Sequence, residues 1–279
     1  MNRVKISIIG AGHMGLALAK GFLKVKAFSK EQIILANPSK PDEDLGIKWV
    51  TDNNIAANFA DYIFIAVKPG KVEEVLENLV FQSRQKLLIS LAAGISIKKL
   101  QKLVKGQNLK VIRIMPNLAI QSGVGVIGVY KDVIPAKAGI QFTNQSSRIP
   151  DQVGNDNLFQ ELKEKLSFLG QAVEVDNEKE LDVLTIISGC SPALIAYFAR
   201  SFTEFSGTPE RLVLKSLIGS LKYLEESELT FEEVIKAVAT KGGITENILK
   251  YLEKKKVKEN ISQGLQSGYK KLEGMDKND

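Results

Sequence analysis

Three glycines, Gly10, Gly12 and Gly15, follow directly on the apolar run Ile6-Ser-Ile-Ile9 and precede a helical pattern over residues 16–23. G-x-G-x-x-G between a strand and a helix is a dinucleotide-binding signature. The first glycine permits a tight turn, the second lets the backbone approach a pyrophosphate, and the third lets the helix pack closely on the strand. The helix N-terminal amides are then left for the phosphates. The other reading is a glycine turn that has lost its ligand. His13 lies inside the turn.

Composition removes several chemistries. The chain has one cysteine, Cys190, and one histidine, His13. An intrachain disulfide and a His-rich zinc site are excluded, no metal is expected, and little scope remains for a Ser-His-Asp or Cys-His nucleophile. Hydride transfer survives, because the cofactor carries the reactive hydrogen and the protein binds, orients and excludes water. The formal charge of +6 is spread along the chain and interleaved with acids, apart from Lys254-Lys-Lys-Val-Lys258. That run reads as a solvated helix face, so no nucleic-acid partner is expected. The apolar stretch 192–199 is far too short to span a bilayer. The N-terminal apolar run ends in the glycine turn and carries no secretory pattern. The expectation is a cytoplasmic protein with no membrane partner.

With 279 residues the chain can form two domains. Apolar runs at 33–36, 62–67, 86–92 and 109–115 alternate with helical segments, which predicts an α/β fold: a Rossmann-type doubly wound parallel sheet with helices on both faces. A further strand at 125–130 extends it, and Ser96 is the expected N-cap of a helix over 97–104. From about Asn177 strand patterns stop. Thr208-Pro209 reads as N-cap and first helical position, and Thr230-Phe-Glu-Glu233 as a capping box. The expected division is a dinucleotide-binding domain, 1–176, and an all-helical domain, 177–279. Leu212, Leu214, Leu217, Ile218, Leu221 and Leu224 exceed one narrow stripe, which a partner subunit would explain. The segment 131–157 has neither helical nor strand period and is rich in Pro, Gly, Asn and Gln. It reads as an insertion, with a linker or a lid as alternatives.

The end of the second strand is where NAD-binding chains place an acid, roughly twenty residues after the glycines. Here it reads Asn37-Pro-Ser-Lys40. With no carboxylate to repel it, a 2'-phosphate can be held by Asn37, Ser39 and the Lys40 charge, which favours NADPH and leaves NADH as the alternative. Ala66-Val-Lys-Pro69 and Ala92-Ala-Gly94 end the third and fourth strands, at the edge where open parallel sheets bind ligands. Lys68 reads equally as a cofactor contact or a solvated charge, and Pro69 as a helix start. In the C-terminal half, Thr240-Lys-Gly-Gly-Ile-Thr245 can present several amides at a helix start, suited to a carboxylate, or can be a plain interhelical turn. Cys190, in Ser188-Gly-Cys-Ser-Pro-Ala193, reads as a buried small residue.

These stretches, together with Arg113-Ile-Met-Pro-Asn117, resemble in order and over nearly the whole chain the pyrroline-5-carboxylate reductase family. Its members reduce the C=N bond of 1-pyrroline-5-carboxylate to give L-proline, the last step of proline biosynthesis. The resemblance implies cofactor contacts from Ile9, Gly10, Ala11, Gly12, His13, Met14, Asn37, Ser39, Asn53, Ala66, Val67, Lys68, Pro69, Ala92, Ala93 and Gly94. It implies substrate contacts from Glu178, Gly243, Ile244 and Thr245, with the Thr245 hydroxyl on the ring nitrogen. It also implies a homodimer or higher homo-oligomer through the C-terminal helices.

This sequence departs from the family pattern at Ser188-Gly-Cys-Ser-Pro-Ala-Leu194 (usually Ser-Gly-Ser-Gly-Pro-Ala-Tyr), at Asn117-Leu-Ala119 (usually Asn-Thr-Pro), and at Ala237 (usually Asn). The family has no counterpart of this length for residues 133–156. A β-hydroxyacid dehydrogenase is the rival enzyme, but its acid/base lysine has no equivalent in the helical stretch 191–205. A related imine oxidoreductase and a non-catalytic dinucleotide-binding module are the further rivals.

Overall fold

A computed structural model of the chain describes residues 4–81, 86–105, 107, 109–131 and 150–277. The described residues contain an eight-stranded sheet. Its strands are β1 Ile6–Ile9, β2 Ile33–Ala36, β3 Lys48–Val50, β4 Tyr62–Ile65, β5 Leu87–Ser90, β6 Lys110–Pro116, β7 Gly125–Lys131 and β8 Gly170–Glu174, in the order β3-β2-β1-β4-β5-β6-β7-β8. Helices α1 His13–Lys24, α2 Asn53–Phe59, α3 Val72–Glu77, α4 Ile97–Leu103, α5 Pro150–Ser167 and α6 Glu178–Leu184 accompany the sheet.

Strand alternation builds two cores. Ile6, Ile8, Ile33, Leu35, Tyr62 and Phe64 face one side with Phe22 of α1 and Leu162 and Leu166 of α5. Ile9, Ile34, Ala36, Ile63 and Ile65 face the other with Ala56 of α2, Leu76 of α3 and Leu100 of α4. Side chains two apart share a face, and burial of both faces accounts for the unbroken apolar runs that made these strands legible.

The sheet is parallel except that β6 and β7 pair antiparallel. The direction of β7, which the sequence pattern leaves open, has a steric reason. Only residues 117–124, with the 3-10 turn Leu118–Ser122, separate the two strands. A parallel crossover needs about a dozen residues or more. Strand β8, which α5 does connect by a crossover, returns parallel. Strands β3 and β8 were not anticipated; both are short and only partly buried.

The expected insertion at 131–157 lies mostly outside the described residues, at 132–149. Its final part is not loop: α5 begins at Pro150. The apolar period that marks this helix starts only at Leu158 and Phe159, which pack on the sheet with Leu162 and Leu166, so the polar first turns carried no pattern to read.

Two charged side chains fasten helices to the sheet. The Lys86 ammonium donates to the carbonyls of Ala57, Asn58 and Ala60 at 2.8, 3.2 and 2.6 Å, closing the C-terminal end of α2. Glu174 accepts from Lys163 of α5 at 2.8 Å and lies 3.3 Å from Lys131 of β7. The Lys163 hydrogen bond first, then Lys131, hold the Glu174 carboxyl below the usual carboxylate range against the opposing effect of burial. Because the folded value is the lower one, this contribution is present above the unfolded carboxylate value and lost as pH falls through the folded one. Glu174→Gln is expected to destabilise at neutral pH by the ~0.2–1 kcal/mol of a partly exposed pair, and by nothing in strong acid. Thermal melts of both proteins across pH check this; a deficit that persists in acid refutes it.

By contacts the chain divides into two compact units, Met1–Cys190 with Leu272–Asp279, and Ser191–Lys271. This division falls later than the 176/177 position at which strand patterns stop, because α6 belongs to the sheet unit. Leu181 and Leu184 lie over Gly128 of β7, where an added Cβ would come within 2.7 Å of Leu181. After α6 the chain runs through a π-helical turn, Thr185–Gly189, into α7 Ser191–Ser206. Glu178–Phe205 is therefore one helical run, long and apolar enough by length and composition to cross a membrane, unlike the stretch 192–199 taken by itself; a single run of this kind is weak evidence.

The second unit contains α7, α8 Glu210–Glu226, α9 Phe231–Val238, α10 Ile244–Lys254 and most of α11 Val257–Lys277. Thr230 and Glu233 form the anticipated capping box. Pro209 is the N-cap of α8 rather than its first helical residue, its ψ of 134° being extended. In the single chain Leu212, Leu214, Ile218 and Leu221 of α8 are exposed, and Phe205 is 91 % exposed.

Candidate active site

Strand β1 lies between β2 and β4, where the strand order reverses, and the glycine turn leaves its carboxyl end at that crevice. The Gly10 N–H donates to Ala36 O at 2.8 Å, and the Ala66 N–H to Ile9 O at 2.8 Å. Gly10 has φ +102°, and an added Cβ would lie 2.7 Å from the Ala66 carbonyl carbon; on Gly15 it would lie 2.0 Å from Gly10 O. The chain itself requires these two glycines. Gly12 is different. Its backbone is extended, at φ −79° and ψ −169°, and an added Cβ would meet nothing within 4 Å. A side chain there would project only into the open space beside the start of α1. Helix α1 starts beside it with no side-chain cap and no acid in its first turn, which leaves bare amides at the positive end of the helix dipole. This cradle fits a pyrophosphate.

The neighbouring loops complete it. Asn37 accepts from the Ala11 N–H at 3.2 Å and donates to Ser39 O at 2.9 Å and Ser39 Oγ at 3.3 Å, so its amide shapes the turn after β2. Ser39 and Lys40 are exposed beyond it. The acids that follow are engaged elsewhere: Glu43 with Lys20 at 2.5 Å, Asp44 with Lys40 at 3.7 Å and with the Gly46 N–H at 2.8 Å. The Gly46 amide first, then Lys40, hold the Asp44 carboxyl below its ordinary value. Asn53 opens α2 after β3, half-buried behind the Asp52 cap. Ala66 and Val67 are half-buried, Lys68 is exposed, and Pro69 begins the 3-10 turn Pro69–Lys71, as the structural reading of that proline had it. Ala92 is buried and Ala93 half-buried. Gly94 has φ +67° and is backed by the end of α11, where an added Cβ would lie 2.7 Å from Met275 Cβ. All of these residues follow the carboxyl ends of parallel strands, so the fold gathers them along one edge.

Glu178 opens α6 and faces inward. Its Oε1 accepts from the Ile97 N–H at 2.8 Å and from Nη1 of Arg113, which is 2 % exposed on β6. Arg113 Nη2 lies 3.8 Å from Asp182. Gly94, Ser96, Arg113, Glu178, Asp182 and Leu272 line a cavity of about 200 Å³. Arg113 had no role assigned from sequence. A charge in the middle of the apolar stretch 111–115 was the available sign, since charges are rarely buried without a partner. Asn117 donates to Ser188 O at 3.3 Å and accepts from the Val126 N–H at 3.4 Å, which gives it a structural duty at the turn between β6 and β7. Cys190 is exposed, not buried as expected, because it lies where the π turn passes into α7.

In the helical unit, Gly243 is the N-cap of α10, again without a side-chain cap. The Gly242 N–H donates to Glu246 Oε2 at 2.8 Å, and the Gly243 N–H to Thr240 O at 2.9 Å. The Gly242 amide first, then Lys250, hold the Glu246 carboxyl below its usual value. This closes the turn from outside and leaves the amides at Ile244 and Thr245 without a side-chain partner; Ile244 is 82 % exposed and Thr245 half-buried. Glu246 had been overlooked, although a carboxylate three or four residues after a helix start is the usual closing group. Among the described residues no group of three His, Cys, Asp or Glu could hold a metal ion.

Residues 178–275, which include this turn, match the family described as pyrroline-5-carboxylate reductase dimerisation, and residues 5–94 match the one described as NADP oxidoreductase, coenzyme F420-dependent. The pyrroline-5-carboxylate reductase of Aquifex aeolicus is 28 % identical, covering 93 % of this chain and 93 % of that protein. These matches support the pyrroline-5-carboxylate reductase family for this chain. The reductase of Staphylococcus haemolyticus is also 28 % identical, over 87 % of each protein. The crystal structure of Plasmodium falciparum pyrroline carboxylate reductase with NADP bound superposes with a TM-score of 0.80 at 26 % identity, covering 99 % of each chain. Reductive aminase from Aspergillus terreus shares the fold at a TM-score of 0.51 and 14 % identity. Within the family, the Asn117-Leu-Ala119 departure spares the hydrogen-bonding residue, Asn117, and changes only the 3-10 turn that follows it.

Proposed function

We propose that this chain is a pyrroline-5-carboxylate reductase that reduces 1-pyrroline-5-carboxylate to L-proline with NADPH. The observation that carries this reading is the presence, on one chain, of two uncapped helix starts: one beside Gly12 in a nucleotide cradle, the other at Gly243 inside the region that matches the reductase dimerisation family. The absence of a carboxylate at residues 37–40 supports the phosphorylated nucleotide. When bound, the reduced nicotinamide supplies hydride for the imine carbon of the pyrroline ring. The ring nitrogen is already protonated and takes up the C=N electron pair as the new C–H bond forms, so the product is the amine and little acid catalysis is needed.

The residues bind and orient. Ile9 to Met14, Asn37, Ser39, Asn53, Ala66 to Pro69 and Ala92 to Gly94 hold the dinucleotide. Gly243 and the Ile244 and Thr245 amides hold the substrate carboxylate, and the Thr245 hydroxyl hydrogen-bonds the ring nitrogen. Orientation of this kind provides most of the acceleration.

The exposed apolar residues of α7 and α8 are covered by a second copy of the chain, so the enzyme is a cytoplasmic homo-oligomer that needs no lipid or nucleic acid. The charges that bound the apolar run, Asp182 and Arg200, fit subunit packing as well as they would a membrane edge; the match to a dimerisation family favours the former. Purified protein should oxidise NADPH only when 1-pyrroline-5-carboxylate is added, and faster than it oxidises NADH. Tight NADPH binding without substrate-dependent oxidation would leave a dinucleotide-binding module instead.

A further inference from the structure

We infer that Arg113 is a positioning residue for the dinucleotide, acting through Glu178 on the loop that joins β5 to α4. That loop, Leu91-Ala-Ala-Gly-Ile-Ser96, carries the small residues proposed to face the cofactor. Its first part is held by the Ala92 N–H donating to Ser90 Oγ at 3.3 Å, and its last part by Ser96, which caps α4 through the Lys99 N–H at 3.4 Å. Directly after the loop, the N–H of Ile97, the first residue of α4, donates to Glu178 Oε1 at 2.8 Å. The loop is therefore anchored to α6, a helix that enters the chain 81 residues later.

Glu178 can serve as that anchor only while its carboxylate keeps its orientation, and Arg113 fixes that orientation. The guanidinium donates Nη1 to the same Oε1. Removing it would take away the donor that fixes Oε1 in place and so weaken its hold on the Ile97 N–H.

An arginine kept only for stability is expected to have its N–H groups satisfied, because an apolar replacement of a buried pair is often as stable. Arg113 departs from that. Its Nε and Nη2 make no hydrogen bond, and it lines the cavity of about 200 Å³ beside Gly94. In Glu178, Oε1 is committed to the anchor, so this oxygen holds the loop.

This inference rests on the reductase reading for the identity of the nucleotide, so its test does not depend on turnover. NADPH affinity is measured by the fluorescence of the bound reduced nicotinamide, with no pyrroline present, in wild type, Arg113→Met, Arg113→Lys, Glu178→Gln and the Arg113→Met/Glu178→Gln double variant. Arg113→Met is expected to weaken NADPH binding about tenfold, the scale of one lost charge-assisted hydrogen bond. It should also speed amide hydrogen exchange over residues 92–97 while leaving exchange in β1 and β4 unchanged. Arg113→Lys should fall between wild type and Arg113→Met, and the double variant should be no weaker than the worse single variant.

Wild-type affinity and exchange in Arg113→Met would overturn the inference. So would losses that multiply in the double variant, which would show two independent roles. Should Arg113→Met fail to fold, Arg113→Lys and Glu178→Gln, each of which retains hydrogen-bonding capacity, carry the same comparison. Wild-type protein that binds NADPH but turns over no pyrroline-5-carboxylate would remove the reductase reading and leave the anchor intact.

Discussion

Thr245→Ala should lower turnover on 1-pyrroline-5-carboxylate about ten- to a hundredfold, the effect of losing a hydrogen bond worth about 1.5–3 kcal/mol to a charged reacting ring. Thr245 is the second residue of α10, half-buried, and its hydroxyl has no hydrogen bond among the described residues. It does not cap the helix, so removing it should cost the fold little. NADPH affinity should also stay at the wild-type value, because the nucleotide cradle lies at the carboxyl edge of the sheet in the other compact unit. Steady-state kinetics with direct NADPH titration separate the two effects. Unchanged turnover, or turnover and nucleotide affinity falling together, would take the ring-nitrogen role away from Thr245.

Gly12→Val should abolish measurable nucleotide binding while leaving the protein folded, a loss of about a hundredfold or more, as when a rigid overpacked contact costs about 3 kcal/mol. The reasoning depends on the difference among the three glycines. At Gly12 the backbone is already in a region open to any residue, and among the described residues nothing beyond its chain neighbours lies within 4 Å of an added Cβ. The new side chain would occupy only the space assigned to the pyrophosphate. At Gly15 the same change would drive a Cβ to 2.0 Å from Gly10 O, and there the fold itself should fail. Melting temperature and NADPH titration of the two variants check the contrast. Near-native affinity in Gly12→Val would mean that the phosphates bind elsewhere.

The nucleotide cradle was legible in sequence because its parts are contiguous. A strand of alternating faces, a glycine turn and a helix start occupy residues 6–24 without interruption, and each follows from local sterics. The same holds for Ser96 and Thr230, whose caps close on residues three positions away. The Gly242-Gly243 turn was also visible, but its closing group, Glu246, was missed; it looked like an ordinary first-turn acid until its carboxylate was seen on the Gly242 amide.

Cys190 and the helical run through 178–205 show the opposite limit. Composition over eight residues at 192–199 gave a stretch too short to span a bilayer, whereas the π turn joins α6 to α7 and makes the apolar run continuous. No local pattern announces a π turn, because it depends on how the preceding helix seats on the sheet.

By itself, then, the sequence determined the order of strands and helices from β1 to β6 apart from β3, the nucleotide turn and the caps, since hydrophobic period, glycine sterics and capping all act between near neighbours. Tertiary structure alone decided that β7 runs antiparallel to β6, that α6 joins the sheet unit, that the end of α11 packs on Gly94, and that Arg113 meets Glu178. Each of these pairs groups far apart in the chain or depends on which faces remain to be covered. That outcome is set by packing the whole sheet at once and leaves no periodic trace in consecutive residues.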